Sequence, residues 1–398
     1  MRLVALDSLR GLCALMVALL HINSISHISE STFVRQSWLF VDFFFVLSGF
    51  VIAHSYIDKI ESPASLLEFV IRRFGRVWPL HAAILLLFVL SECLKLGLSH
   101  VGGFPIHEPA FTGRYTLDAL GANLLLVHAL GFYDLETWNG PSWSISVEFW
   151  TYLVFAAGCL LARRRIVSLS LGLIALSILV ICLWSPAYLG TGVDLGIARC
   201  LYGFFVGVLV ALAFRALSRR GFALPVPTAL EASCVTLVAL FLLGCDASDA
   251  LTLLGPVLFA SVVLVFAFQS GGLSGLLLRR RFTWLGERSY AIYMVHALLL
   301  EIMNRGLLVA GSLTHTQTVT WMPIPGGVTG MVFIHDHFTT DLFVLLYVAA
   351  VLVSADLAHR AVEQPGRRFF NRLAKAYRQW QSTAPAGAAL GRDAEPAG

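Results

Sequence analysis

Residues 166–184 read IVSLSLGLIALSILVICLW, nineteen consecutive residues without a charge, entered through Arg163-Arg164-Arg165. As a helix rising 1.5 Å per residue this run covers about 28 Å, close to the ~30 Å hydrocarbon core of a bilayer. Runs of the same kind recur along the 398 residues, at 3–24, 38–57, 77–98, 143–162, 166–184, 197–214, 228–245, 251–269, 288–310 and 341–361. The composition agrees: 58% of the residues are hydrophobic, 13% are charged and the mean hydropathy is +0.78, whereas a soluble domain carries roughly 25% charged residues. A soluble enzyme is excluded. The expected fold is an all-α polytopic membrane protein of about ten transmembrane helices.

The basic residues set the orientation. With a cytoplasmic N-terminus, 23 of the 28 Lys and Arg residues fall in cytoplasmic segments, among them Arg72, Arg73 and Arg76, Arg163 to Arg165, Arg279 to Arg281 and seven from Arg360 onward. Positive-inside bias therefore puts both termini in the cytoplasm. The apolar stretch from Ala119 to Tyr133 is too short to span and holds Asn123 and His128, so it reads as re-entrant or interfacial. The first span carries Asp7, Arg10 and His21 and reads as an uncleaved helix rather than a signal peptide. Two outer segments remain, 99–142 and 311–340. The organisation expected is a transmembrane domain over 1–370 and a disordered cytoplasmic tail over 371–398.

The net charge of +4 is too small and too scattered for a nucleic-acid partner. The seven cysteines show no CxxC pair or metal spacing and read as inert thiols within the spans. His335-Asp336-His337 supplies two ligands at most, so no metal is expected.

Ionisable residues at membrane depth cost on the order of 2.5–3.5 kcal/mol each at a helix centre, which makes them candidates for function. Arg10 and His21 are 11 residues apart, about 20° from alignment on a helix and about 16 Å along its axis. Asp7 shares their face, and Ala14, Val17 and Ala18 lie between, forming a lane of small side chains. The competing reading is a helix contact in which Asp7 pairs with Arg10. Arg73 and Arg76, in RRFGRVWP, are spaced to face one ligand, and guanidinium forks fit phosphate oxygens. Pro79 in the same block suits a first helical turn. Glu148, in WNGPSWSISVEFW between Trp143 and Trp150, needs a partner or a proton inside a span. Ser289, Tyr293 and His296 share one face of the ninth span.

Together these blocks resemble the acyltransferase 3 family of integral membrane acyltransferases. The likeness rests on LDSLRGLCALMVALLH at 6–21, VDFFFVLSGFVIAH at 41–54, RRFGRVWPLH at 72–81, WSISVEFWTY at 143–152, LGERSYAIYMVH at 285–296 and VEQPGRRFF at 362–370. The resemblance implies transfer of an acyl group, commonly acetyl, from cytoplasmic acyl-CoA to a hydroxyl of a carbohydrate or glycoconjugate, with a place in the plasma membrane and a role in modifying cell-surface polysaccharide. Its Arg-x10-His motif falls on Arg10 and His21, its Arg-x-x-Arg motif on Arg73 and Arg76, and its SVE block supplies Glu148. Ser8 departs from the usual LDGLRG, and Phe149 and Trp150 stand where a polar residue is frequent. Some relatives carry an SGNH-type domain; this sequence resembles those without one.

The resulting expectation gives catalysis to His21, Glu148 and Arg10, the acyl-CoA co-substrate to Arg73, Arg76 and Asp7, and acceptor contacts to His296, Tyr293 and Trp143. His21 acts as general base or as acyl carrier, and the sequence leaves both open. A proton-coupled transporter or flippase is the alternative, since His, Glu and Arg in spans also build proton relays. Acceptor identity, acyl group and oligomeric state, including a homo-oligomer, are not written in the sequence.

Overall fold

Apolar runs that cannot hydrogen-bond to lipid must satisfy their backbone internally, and the chain does so as helices. The computed structural model describes residues 3–101, 108–315, 319–324, 328–333 and 336–383. Ten long helices correspond to the ten expected spans: α1 (Val4–Leu20), α2 (Phe40–Tyr56), α3 (Pro63–Val101), α4 (Trp143–Ala162), α5 (Ile166–Trp184), α6 (Gly196–Arg219), α7 (Pro227–Gly244), α8 (Gly255–Ala267), α9 (Arg280–Thr314) and α10 (His337–Ala358). Eight helical stretches among the described residues are long and apolar enough to cross a membrane; the stretch Gly140–Trp184 contains both α4 and α5, and the 17-residue α1 stands outside that number. The protein is an all-α polytopic membrane protein.

Three features differ from expectation. The third helix begins at Pro63 rather than near 77, so Pro79 lies in the helix interior instead of its first turn. The segment over 371–383 is helical: α10 passes through a π-helical turn, His359–Glu363, into α11 (Gln364–Thr383). The two are one observation, because α11 runs antiparallel along the first half of α3. Gly366 meets Pro79, Gly75 meets the Phe370 ring, and Arg72 donates to Asn371 Oδ1 at 3.1 Å. Each segment is too polar to span, and packing on the other gives it a reason to be helical. The tail from 384 lies outside the described residues. Third, the outer segment 311–340 contains an antiparallel hairpin, β1 (Val319–Ile324) and β2 (Val328–Phe333). Phe333 N–H donates to Asn23 O at 3.1 Å, tying the hairpin to the chain just beyond α1. The Ala119–Tyr133 stretch holds a short helix, Leu117–Leu124, and buries Asn123 and His128.

Small residues let membrane helices approach. On α6 the pair Gly203 and Gly207 faces α2, whose Gly49 faces back. A Cβ on Gly49 would fall on the Phe204 carbonyl, and one on Gly207 on the Val46 carbonyl. In the first turns of the same two helices Arg199 grips Asp42 bidentately, at 3.0 and 2.7 Å, with exposures of 4% and 0%. The indole rings of Trp38 and Trp143 lie 5.1 and 5.5 Å from that guanidinium. Neither Arg199, read as one of the outer basic residues, nor Asp42 stood out in the sequence as half of a buried pair.

Most basic clusters gather at one end. Arg163 pairs with Glu61 (2.7 Å) and Asp58 (3.3 Å), and Arg215 also binds Asp58, linking the α2–α3 and α4–α5 connections to the last turns of α6. The hydrogen bond from Arg215 holds the Asp58 carboxyl below the usual carboxylate range. Cys159, Cys200, Cys234 and Cys245 are buried, whereas Cys93 and Cys182 lie on outward helix faces. His337 meets Glu30 and Asp336 caps α10 through Thr339 N–H; His335 lies outside the described residues.

The glycine crossing yields a prediction. Gly207→Leu must push apart backbones already in contact and should cost about 1–3 kcal/mol or more. Gly172→Leu, where nothing stands within 4 Å, should change stability by no more than about 0.5 kcal/mol. Thermal midpoints in detergent measure both, and equal midpoints would refute the packing argument.

Candidate functional site

The site begins where α1 and α9 touch. A Cβ on Gly11 would stand 2.6 Å from Gly286 N, and one on Gly286 would meet the Asp7 carbonyl, so the two backbones are in direct contact. This crossing fixes Arg10, which donates to Ser289 Oγ at 2.7 Å and Gly286 O at 3.3 Å and pairs with Asp7 at 3.2 Å. The Asp7–Arg10 pairing weighed in the sequence is present. Ser8 is buried and donates to Leu277 O at 2.8 Å, which gives its hydroxyl a structural use.

Beside Arg10 opens a cavity of about 130 Å³. Arg10 and Ala14 of α1, Ser48 of α2, Arg73 and Arg76 of α3, Ser144, Glu148 and Tyr152 of α4, and Ser289, Tyr290 and Tyr293 of α9 line it, with Phe44 and Phe45 among the apolar walls. The two α3 arginines differ. Arg76 binds Glu363, which the π-helical turn presents, while His359 Nδ1 donates to the other Glu363 oxygen at 2.8 Å. Its charge is therefore already compensated. Arg73 donates from Nη2 to Tyr56 Oη at 3.1 Å and lies 5.1 Å from that ring. Its Nε is buried with no hydrogen-bond partner, and it has no carboxylate partner among the described residues. A buried, unpaired donor on a cation is a place for an anion.

Glu148 faces the same cavity and has no ion pair among the described residues, although it stands close enough to the Tyr152 hydroxyl to accept its hydrogen and within electrostatic reach of Arg10. Around it the tyrosines are anchored. Tyr152 shares a hydrogen bond with Ser48 at 3.0 Å, Tyr290 donates to Val77 O at 2.5 Å, and Tyr293 Oη lies 2.8 Å from both Ser144 Oγ and Pro141 O.

His21 closes α1 and lies next to the cavity rather than on its wall. Its Nδ1 stands 2.7 Å from Val17 O. A carbonyl only accepts, so Nδ1 carries the hydrogen and, in the neutral ring, Nε2 keeps its lone pair. The His296 ring is 4.9 Å away, and Tyr293, which does line the cavity, is 5.7 Å from His296. Glu148 makes no contact with His21 among the described residues.

Arg10, Arg73, Arg76, Glu148 and Tyr293 thus converge on one cavity, with His21 and His296 behind Tyr293. Asp7 serves Arg10 rather than the cavity wall, and Trp143 packs on Phe45 and Arg199 and does not line it. Sequence reasoning missed Glu363, Tyr290, Tyr152 and Tyr56. Only Glu363 gave a sign, as an acid at the head of the basic run EQPGRR.

The family model described as an acyltransferase domain, that of the acyltransferase 3 family, matches residues 3–359. The chain belongs to this family. It is a multi-pass membrane acyltransferase, and the transporter alternative gives way. Among its relatives, the acyltransferase MdmB of Streptomyces mycarofaciens is 27% identical over 89% of this chain and 84% of its own length. Protein 2 of the picA locus of Rhizobium radiobacter is 32% identical over 39% of this chain and 81% of its own. The peptidoglycan O-acetyltransferase OatA of Listeria monocytogenes is 22% identical over 92% of this chain but 56% of its own, so the chain spans about half of that longer acyltransferase. No solved structure matches.

The Arg76–Glu363 pair can be tested directly. Glu363→Gln leaves a mostly buried guanidinium without its counter-charge and should destabilise the acyltransferase by about 3–5 kcal/mol. A thermal midpoint in detergent unchanged from wild type would show that the pair is not the brace described.

Proposed function

We propose that this acyltransferase moves an acyl group, with acetyl the first choice, from acyl-CoA at its basic, cytoplasmic end to a hydroxyl of a carbohydrate or glycoconjugate approaching from the opposite side of the plasma membrane. The observation that carries the reading is the buried, unpartnered Nε of Arg73 on a cavity behind whose Tyr293 wall lie His296 and then His21. A CoA phosphate would complete the hydrogen bonding of Arg73, and the apolar walls suit a pantetheine arm. Arg76, held by Glu363, contributes positive potential more than an open fork.

Chemistry follows from the tautomer of His21. Its Nε2 lone pair takes the hydroxyl proton as the acceptor oxygen attacks the thioester carbonyl carbon, which is general-base catalysis. The C–O bond forms, the C–S bond breaks, and the CoA thiolate leaves with the bonding electrons and takes up a proton. Arg10, oriented by Ser289 and Gly286 some way along α1 from His21, adds positive charge at the donor end of the cavity. Glu148, lacking an ion pair, accepts a hydrogen bond from a substrate N–H or O–H instead of orienting the imidazole. Peptidoglycan acetylation by the relative OatA, as its name states, favours a cell-envelope glycan as acceptor.

Incubating purified protein with radiolabelled acetyl-CoA and a glycan extract tests the reading. His21→Ala should reduce transfer by on the order of 10²–10⁴. Wild-type transfer by a folded His21→Ala protein would sink it. Arg73→Gln removes a charge-assisted hydrogen bond of about 1.5–3 kcal/mol and should raise KM for acetyl-CoA by about 10–100-fold; an unchanged KM would remove Arg73 from the donor site.

A further inference from the structure

His296 is fully buried, and neither of its ring nitrogens makes a hydrogen bond of good geometry, the Ile292 and Tyr293 carbonyls one turn back offering only loose contacts. A histidine retained for packing normally satisfies at least one of them, because an unpaired buried polar atom costs stability. Its ring lies 4.9 Å from that of His21, tilted by 59°. The spacing is held by Tyr347 of α10, whose hydroxyl sits 3.4 Å from Ala18 O and 3.1 Å from His296 O, bridging α1 and α9 at the level of the two imidazoles. We propose that His296 is a positioning residue for His21, its neutral ring nitrogen taking a share of the Nε2–H hydrogen bond beside the substrate once that atom has taken the acceptor's proton.

The proposal rests on the general-base reading above and supplies what that reading lacks. Protonated His21 gains an Nε2–H in a buried setting while Nδ1–H remains on Val17 O. No carboxylate contacts either ring among the described residues. On α1, Asp7 and Arg10 are bound to each other; on α9, the Tyr293 hydroxyl is engaged with Ser144 and Pro141 O; on α10, Tyr347 is engaged with two carbonyls. The lone pair of neutral His296 is what remains. The proton leaves the acceptor oxygen for His21 Nε2, where its hydrogen bond is shared between the substrate side and the His296 lone pair while the tetrahedral intermediate lasts, and it passes from Nε2 to the thiolate as the C–S bond breaks. Neither imidazole is consumed.

The test compares His296→Phe, which fills the space without a nitrogen, with His296→Asn, which keeps a hydrogen-bond acceptor. His296→Phe should lower kcat by on the order of 10²-fold, with KM for acetyl-CoA held within about twofold, and His296→Asn should recover much of the loss. Equal losses in the two variants, a rise in KM matching the fall in kcat, or a fall in thermal midpoint that accounts for the lost activity would reduce His296 to a structural residue. Full kcat in His296→Phe while His21→Ala is inactive would overturn this inference and leave the general-base reading standing; an active His21→Ala would overturn both.

Discussion

Backbone contact between α1 and α9 is the constraint on which the site depends. Two helices with ordinary side chains at their crossing sit 8–10 Å apart between axes; at Gly11 and Gly286 no side chain intervenes. Everything assigned to chemistry on α1 takes its position from this crossing. Arg10 reaches Ser289 one turn beyond it, and His21, three turns further along α1, meets His296 at a similar advance along α9. Tyr347 closes the far end of the same interface. The lane of small residues read from the sequence is thus a property of two helices rather than one.

Charge inside the membrane is handled by a consistent rule. Asp42 with Arg199, Glu363 with Arg76 and Glu92 with Arg305 and Lys95 all join an acid to a base, mostly across helices, and aromatic rings lie beside several of the cations. Such pairing removes most of the cost of an isolated ion in a low-dielectric setting. Against that pattern Arg73 and Glu148 stand out, since both face the cavity without an ion pair among the described residues. Facing the cavity without a counter-ion, more than presence in a span, separates them from paired cations such as Arg76.

The number of helices was legible because hydrocarbon thickness imposes a length on every run, and basic residues mark the ends. Arg10 and Glu148 were legible as candidates because charge at depth is costly, and Arg73 and Arg76 because two arginines one turn apart suit phosphate oxygens. What sequence could not supply was partner choice. Asp7 looked like a donor contact, yet its neighbour Arg10 already engages it; Trp143 looked like an acceptor platform, yet the Arg199 guanidinium lies beside its ring. The helix over 364–383 was hidden because polar sequence is ambiguous until another polar helix is found to pack on it. The hairpin at 319–333 was hidden because short strands joined outside the membrane leave little periodic signal.

Synthesis of the chain adds a temporal side to the α1–α9 crossing. The Ser289 that completes the Arg10 contacts is separated from it by 279 residues, so α1 enters the bilayer long before its partner exists. During that interval its arginine cannot rely on α9. The Asp7 carboxylate, one turn away on the same helix and 3.2 Å from the guanidinium, gives α1 an internal counter-ion that travels with it. An acid that looks redundant in the finished site thereby lowers the electrostatic cost of the waiting helix, and the local pair formed first becomes the docking surface for a segment that arrives much later.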